Sequence, residues 1–466
     1  MRKLLIIGIL FLAIATPLVI AFLYRGKTVN PKAVTLNYWF VEGQEKDYSE
    51  MVSAYRSYHP YVNIKFKKWK LEEYENALIQ GWARDAGPDI YSLPNTWLRK
   101  YYKEFIQPLP SQINVAYYQK QKFLFFRESI KISYIPKNSL IPAEIRNSYI
   151  DLISQDVILK DSKNKEKIYG LPYSVDTLVL FYNKDLLSNA KIVEPALAWK
   201  DLVEQTPNLT KLDNQNNILQ SSIALGLADN VDYYFDILSL LMLQNGVQMY
   251  SPSDNKITFT TGDNNTLASQ ALDFYASFAD LNKETYSWND KQTKAIDSFI
   301  AGRSAYFLGY LADKKTIDGQ AAGLNYGVTN MLHVNADGTD RLLNRAGNPI
   351  QVNSARYWVE TVSKKTKAVN EAWDFVQFVA KEKRNQQFVE KSGKISPLKA
   401  ILANQVKNQA LAVWANQALT AKSWYQGRDA SAVELFFAEM INAVVLESVS
   451  ASEALKTAAG KINLTL

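Results

Sequence analysis

The side chains best suited to hold a small polar molecule stand at the ends of short apolar runs. Trp39 and Glu42 close the run at residues 34–40, Asn95 and Trp97 follow the run at 89–93, and Tyr310 follows Phe307-Leu308-Gly309. Planar groups that donate or accept hydrogen bonds satisfy hydroxyls, and aromatic faces cover the apolar faces of rings, each large aromatic burying ~150–250 Å². The 466-residue chain has no cysteine, and His59 and His333 are its only histidines. Disulfides, thiol nucleophiles, Cys-type zinc sites and multi-His metal clusters are thereby excluded, and serine-histidine chemistry has two chances at most. Val41-Glu42-Gly43-Gln44 stands at the first strand-to-helix turn, where a phosphate loop or dinucleotide fingerprint would be. No cofactor is called for.

The elements that must position these residues are legible in the first hundred residues. Val34 to Phe40 alternates as a strand, residues 45–58 carry apolar positions at three-and-four spacing, and 61–69 reads as a second strand. Residues 72–86 repeat the helical spacing, and Gly87-Pro88 stops it before a strand at 89–93. The order β-α-β-α-β implies parallel strands and a doubly wound sheet, with its ligand crevice beyond the carboxyl ends of the strands. Gly309 would let backbone approach a ligand closely beside Tyr310. Leu178 to Tyr182 is expected to be a strand covered on both faces, and residues 211–217 and 251–265 loops or a hairpin in a second lobe. Ala336-Asp337-Gly338 and Gly347-Asn348-Pro349 mark a turn-rich excursion, and the chain from Glu371 onward reads as mostly helical.

Composition bounds the remaining options. Hydrophobic residues make up 47% and charged residues 21%, a globular balance for about three units of ~150 residues or two large lobes. Fifty-three Lys and Arg against 46 Asp and Glu leave only +7, so nucleic-acid binding is not expected. The basic run Ile64 to Lys70 reads as a strand with a solvated face, and His59 and His333 as turn or surface residues. Leu4 to Tyr24 is uncharged and long enough as a helix to cross a ~30 Å hydrocarbon core, with Arg2 and Lys3 before it. Ala13 and Ala15 also form a cleavage-like site, so residues 1–27 are either an anchor or a signal segment, and 28–33 a linker. The absence of cysteine rules out a lipid anchor.

Longer words in the sequence carry a resemblance. They are Ala83-Arg84-Asp85-Ala86-Gly87-Pro88-Asp89-Ile90, Tyr169 to Asp176 leading into Phe181 to Leu186, Ala198-Trp199-Lys200-Asp201-Leu202, Phe299 to Tyr306, and Glu371-Ala372-Trp373-Asp374-Phe375. In order and spacing the chain from 33 to 466 resembles the extracellular solute-binding proteins of ABC importers, of the maltose-binding, sugar type. The resemblance implies an α/β, two-lobe periplasmic-binding-protein-like fold (type II), each lobe a doubly wound mixed sheet flanked by helices, after an N-terminal transmembrane helix. It places lobe 1 at 34–172 plus 328–380 and lobe 2 at 173–327 plus 381–466. Crossings are expected near 172–175, 326–329 and 380–384.

The same resemblance implies further cleft residues. Tyr173 and Asp176 would lie at a crossing, Arg356, Tyr357 and Trp358 where relatives bring ligand-facing groups, and Trp424 where relatives send an aromatic into the cleft. The implied protein is a monomer held at the cell membrane with its folded part outside, taking a small solute, expected to be an oligosaccharide, to the permease subunits. Two rivals remain at this point: an anchored glycoside hydrolase using acids such as Glu42 and Asp176, and a sensor or interaction protein on the same fold.

Overall fold

The computed structural model describes residues 30–123, 127–334 and 352–466; the segment proposed as an anchor and the turns at 336–338 and 347–349 lie outside them. The chain opens with β1 (Val34–Phe40), α1 (Glu45–Tyr58), β2 (Val62–Lys68), α2 (Leu71–Ala83) and β3 (Ile90–Pro94), the alternation read above. A ribbon follows, β4 (Gln112–Phe123) and β5 (Arg127–Asn138), and then β6 (Leu171–Pro172), β7 (Asp176–Thr177) and β8 (Val179–Asn183). Next come β9 (Lys211–Leu212), β10 (Ile218–Ile223), α3 (Tyr234–Gln244), β11 (Ser304–Gly309), α4 (Leu311–Gln320) and β12 (Tyr326–Thr329). The chain closes with β13 (Asn353–Arg356), β14 (Trp358–Val362), α5 (Val369–Ala380), α6 (Glu382–Ser392), α7 (Ala412–Ala418), β15 (Ala421–Lys422) and α8 (Ala430–Leu446). Further helices, among them Trp199–Leu209, Asp263–Ser277 and Ala451–Asn463, and short strands join these elements.

Two five-stranded sheets organise the lobes. The first has the order β2-β1-β3-β14-β6 and the second β9-β10-β11-β8-β12. In the first, β1 runs parallel to β2 and β3, and β14 returns antiparallel to β3. Alternation along β1 sends Leu36, Tyr38 and Phe40 under α1 and α5, where the Tyr38 ring meets Tyr48 and Phe375 edge-on at 5.5 and 6.4 Å. At the centre of this core Glu360 of β14 is buried, accepting hydrogen bonds from the Tyr38 hydroxyl and from Ser92 Oγ. In the second sheet Val179, Leu180 and Phe181 of β8 are buried on both faces, as the apolar run that starts at Leu178 requires.

A third, small sheet of order β15-β13-β7 links the lobes. The chain passes from the first sheet to the second between β6 and β8. β12, expected as a crossing, pairs along its whole length with β8 as an edge of the second sheet, so that return runs later and enters through β13. Residues 380–384 span the end of α5 and the start of α6, and α6 packs on α1 of the first lobe, with Phe388 against Tyr48 at 5.2 Å. The chain crosses beyond it, where Val175 N–H donates to Ile395 O at 2.9 Å. The long helical reading from Glu371 did not separate these helices because an amphipathic face does not name the sheet it covers.

The ribbon was not anticipated, although Ile113 and Val115 alternate in one strand and Ile130 and Ile132 in the other. Its register runs from Gln112 opposite Asn138 to Phe123 opposite Arg127. His59, expected at a turn or surface, is buried at its root, Nδ1 2.8 Å from Ala116 O and Nε2 3.3 Å from Asp374, and Asp374 also accepts from Lys137. Burial removes water from the imidazole and pulls its pKa down, opposed by Asp374.

Gly226, beyond β10, sits at φ +96°, and a Cβ there would stand 2.7 Å from Ala279 N and 2.8 Å from Ala279 Cβ. Gly226→Ala is expected to destabilise the protein by ~2–4 kcal/mol, through left-handed strain plus overlap with backbone that cannot yield. The urea midpoint should fall at unchanged m-value; an unchanged midpoint would contradict the packing described.

Candidate functional site

A cavity of about 420 Å³ opens where the two sheets and the linking sheet meet. The first lobe lines it with Glu42 after β1 and with Asn95 and Trp97 after β3. The linking strands contribute Asp176 and Arg356, the join from β13 to β14 contributes Tyr357 and the start of β14 Trp358; the second lobe contributes Tyr233 to Leu243 in part, Tyr310, Trp424 and Glu434. Residues from the ends of β1 and β3 thus face residues from helix starts in the other lobe, the arrangement a doubly wound sheet produces.

Arg356 is the centre of its polar wall. β13 runs antiparallel to β7 with Arg356 opposite Asp176, so the strand register alone brings both to the cavity. The guanidinium Nε donates to Asp236 Oδ2 at 2.5 Å, and a terminal nitrogen lies 3.7 Å from Glu434 Oε1. Its carbon stands 5.2 Å from the Tyr233 ring and 5.9 Å from the Tyr310 ring, within cation-π range. Burial works against the charge, yet Asp236, Tyr310 and Glu434 together raise the guanidinium's pKa further. The Tyr310 hydroxyl donates to the same Asp236 oxygen at 2.8 Å.

The carboxylates differ in environment. Asp176 accepts the backbone N–H groups of Leu311 (2.8 Å) and Ala312 (3.0 Å) at the start of α4, yet burial outweighs these bonds and pushes its pKa up to about 8. Burial likewise raises Asp313 to about 6, against the Tyr310 N–H and the Tyr233 hydroxyl that bond it. Glu434 is raised by burial and drawn back by Arg356. Glu42 behaves oppositely: burial would raise it, but Lys394 at 2.5 Å holds it below the usual carboxylate range.

The aromatic walls are fixed from behind. Trp424 Nε1 donates to Ser239 Oγ at 3.0 Å, and its ring packs on Phe235 and Phe437 at 6.0 and 5.8 Å. Trp358 meets Tyr74 at 6.4 Å. Asn95 Nδ2 and the Tyr357 hydroxyl both donate to Asp156 Oδ2, at 3.3 and 2.5 Å, while Asn95 N–H donates to Tyr357 O. Both side chains therefore serve as a buttress as well as a lining.

Two of the expected residues stand elsewhere. Trp39 points to the face of the first sheet covered by α2, packed on Trp69 at 4.9 Å with Lys67 over both rings. Alternation does turn it away from Tyr38, but toward this helix rather than the cleft. Tyr173 is buried in the first lobe between Tyr48 and Phe388, its hydroxyl donating to Val376 O at 3.3 Å. It supports the crossing from beneath.

Sequence reasoning missed Tyr233, Asp236, Asp156 and Glu434. One signal was available: Asp236 is the lone acid in the apolar helix YFDILSLLMLQ, where such a residue is rarely structural filler, whereas Glu434 shares its apolar helix ASAVELFFAEMINAVVL with Glu439. Tyr233 adopts left-handed backbone at φ 62°, a costly conformation for a bulky residue and one found preferentially at functional sites. Among the described residues no group of three or more His, Asp or Glu is arranged to hold a metal ion.

Two lobes joined by a small sheet, with a lined cavity at the junction, define a two-lobe binding protein. Residues 50–421 match the family model for bacterial extracellular solute-binding proteins, and the chain belongs to that family. Among solved structures it is similar to a cyclic alpha-maltosyl-1,6-maltose binding protein from Arthrobacter globiformis, at 15% identity and TM-score 0.68, covering 92% of this chain and 98% of that one. It is similar as well to a cyclo/maltodextrin-binding protein complexed with maltotetraose, at 15% identity and TM-score 0.67, covering 94% and 98%. At such identities the likeness establishes the fold alone. In sequence, a 56-residue stretch is 36% identical to the galactooligosaccharide-binding protein of Bacillus subtilis (strain 168), spanning 12% of this chain and only 13% of that protein.

Proposed function

We propose that this protein captures an oligosaccharide between its two lobes and presents it, unaltered, to the permease of an ABC importer. The observation that carries the reading is the pairing, within one cavity, of the aromatic faces of Trp97, Trp358 and Trp424 with the hydrogen-bonding set Arg356, Asp236 and Glu434. Stacking faces and charged hydrogen-bond partners are the two things a sugar ring requires, and each charged hydrogen bond contributes ~1.5–3 kcal/mol. The saccharides named with the solved relatives, maltotetraose among them, support the same class. The acids support binding over hydrolysis, since both Asp176 oxygens accept backbone amides and Glu42 is ion-paired.

Binding would favour the closed arrangement because only that arrangement engages both walls. The closing bodies in this reading are those built on the two sheets, with the linking sheet as the hinge. In this reading the uncharged apolar stretch 4–24 is the tether that keeps the folded part outside the membrane, and one copy suffices. Among the described residues no helix is long and apolar enough to cross a membrane.

Calorimetry of the full chain in detergent against an oligosaccharide panel, with X-ray scattering with and without the hit, tests the proposal. Micromolar binding with a smaller radius of gyration is expected, and binding without compaction would refute the hinge. Trp424→Ala should weaken the best ligand about tenfold by removing one stacking face; an unchanged Kd would assign that ring to packing only.

A further inference from the structure

A second compartment of about 460 Å³ adjoins the cavity and shares Glu42, Asp176, Arg356 and Trp358 with it. Its walls carry five lysines: Lys46 and Lys68 from the first lobe, Lys315 from α4 of the second, and Lys391 and Lys394 near the crossing. Two are neutralised, Lys394 by Glu42 at 2.5 Å and Lys391 by Glu50 at 2.9 Å. The other three make no ion pair among the described residues. Lys68 Nζ donates to Gly43 O at 2.8 Å and Lys315 Nζ to Ser392 O at 3.0 Å, carbonyl acceptors that carry no net charge.

The remaining acids do not balance them. Asp47, which accepts the Gln44 N–H at the start of α1, and Asp176, which burial pushes up and which accepts the Leu311 and Ala312 N–H groups, are the remaining lining acids, two against three lysines. Positive charge from both lobes therefore gathers at one end of the cleft. Closing the lobes would concentrate it, and an anion placed there would convert that repulsion into charge-assisted hydrogen bonds.

We propose that the saccharide is acidic, with an anionic group on one ring lodged among Lys46, Lys68 and Lys315 while its neutral rings lie against the tryptophans of the adjoining cavity. This rests on the saccharide reading above and narrows it to one chemical class. Carboxylate and sulfate share the needed chemistry.

The test is calorimetry of the full chain in detergent with matched pairs: oligouronides against their carboxyl-reduced forms, and sulfated oligosaccharides against their desulfated forms. At least one acidic member should bind tenfold or more tightly than its neutral partner at 50 mM salt, with the gap narrowing at 500 mM. The pair that shows the gap identifies the anion. The variant K46Q/K68Q/K315Q should reduce the preference below threefold. Equal or tighter binding of the neutral partners would overturn the proposal and leave the saccharide reading standing. A preference that survives the triple substitution would overturn the assigned lysines, and failure of every saccharide to bind would remove both readings together.

Discussion

Glu360→Gln should stabilise this protein at pH 8 by about 3 kcal/mol while leaving its stability at pH 4 nearly unchanged. Burial in the first lobe raises the Glu360 pKa to about 7, against the hydrogen bonds from Ser92 and Tyr38 that draw it down. An unfolded glutamate ionises near its ordinary value. Below that value both states hold the proton, and the group has no effect on the difference. As pH rises from about 4.5 to about 7 the unfolded chain releases the proton and the folded one keeps it, so stability falls through this window and levels off above it. A shift of this size is worth roughly 1.4 kcal/mol per unit, and full burial leaves it unscreened. Glutamine, neutral throughout, escapes the loss and still accepts from both hydroxyls. Asp176 and Asp313 are raised as well, to about 8 and about 6, so a residual fall with pH persists in the variant. Urea midpoints of both proteins between pH 4 and 8 measure the effect; a difference that did not grow with pH would show that Glu360 is not the titrating group.

The second large effect belongs to the site. Arg356→Met is expected to raise the Kd for the preferred saccharide about 100-fold, equivalent to ~3 kcal/mol. Methionine fills much of the volume but offers no cation to Asp236 and Glu434, which then face the cavity as two unneutralised acids. It also removes the charged donor itself and the packing of a planar group against Tyr233 and Tyr310. Because Arg356 lies opposite Asp176 in the linking sheet, the loss should reach closure too, and scattering should record less compaction at saturating ligand. An affinity within threefold of the parent, with the same compaction, would make Arg356 a structural ion-pair partner only.

Much of the first lobe was readable in advance because its signals are local. Period-two alternation at residues 34–40, three-and-four spacing at 45–58 and the Gly87-Pro88 stop are set by neighbours within a turn or two. The β-α-β-α-β order follows, and with it the rule that brought Glu42, Asn95 and Trp97 to the cavity. Apolar continuity likewise marked β8 as covered on both faces. Trp39 shows where local reasoning ends: its alternation was read correctly, but which body covers that face depends on α2, a matter of packing between elements.

What only the tertiary structure decided is the company each residue keeps. Asp236 meets Arg356 across 120 residues and Tyr357 meets Asp156 across 201; no periodicity encodes such a distance, because the meeting depends on sheet order and on where the chain changes lobes. The side chains themselves determined what chemistry was available: aromatic stacking and charged hydrogen bonds, with thiol and multi-histidine chemistry excluded. Folding determined which of those groups share one cavity, since desolvation and pairing, the effects that push Asp176 up and hold Glu42 down, exist only once distant segments have displaced the water between them.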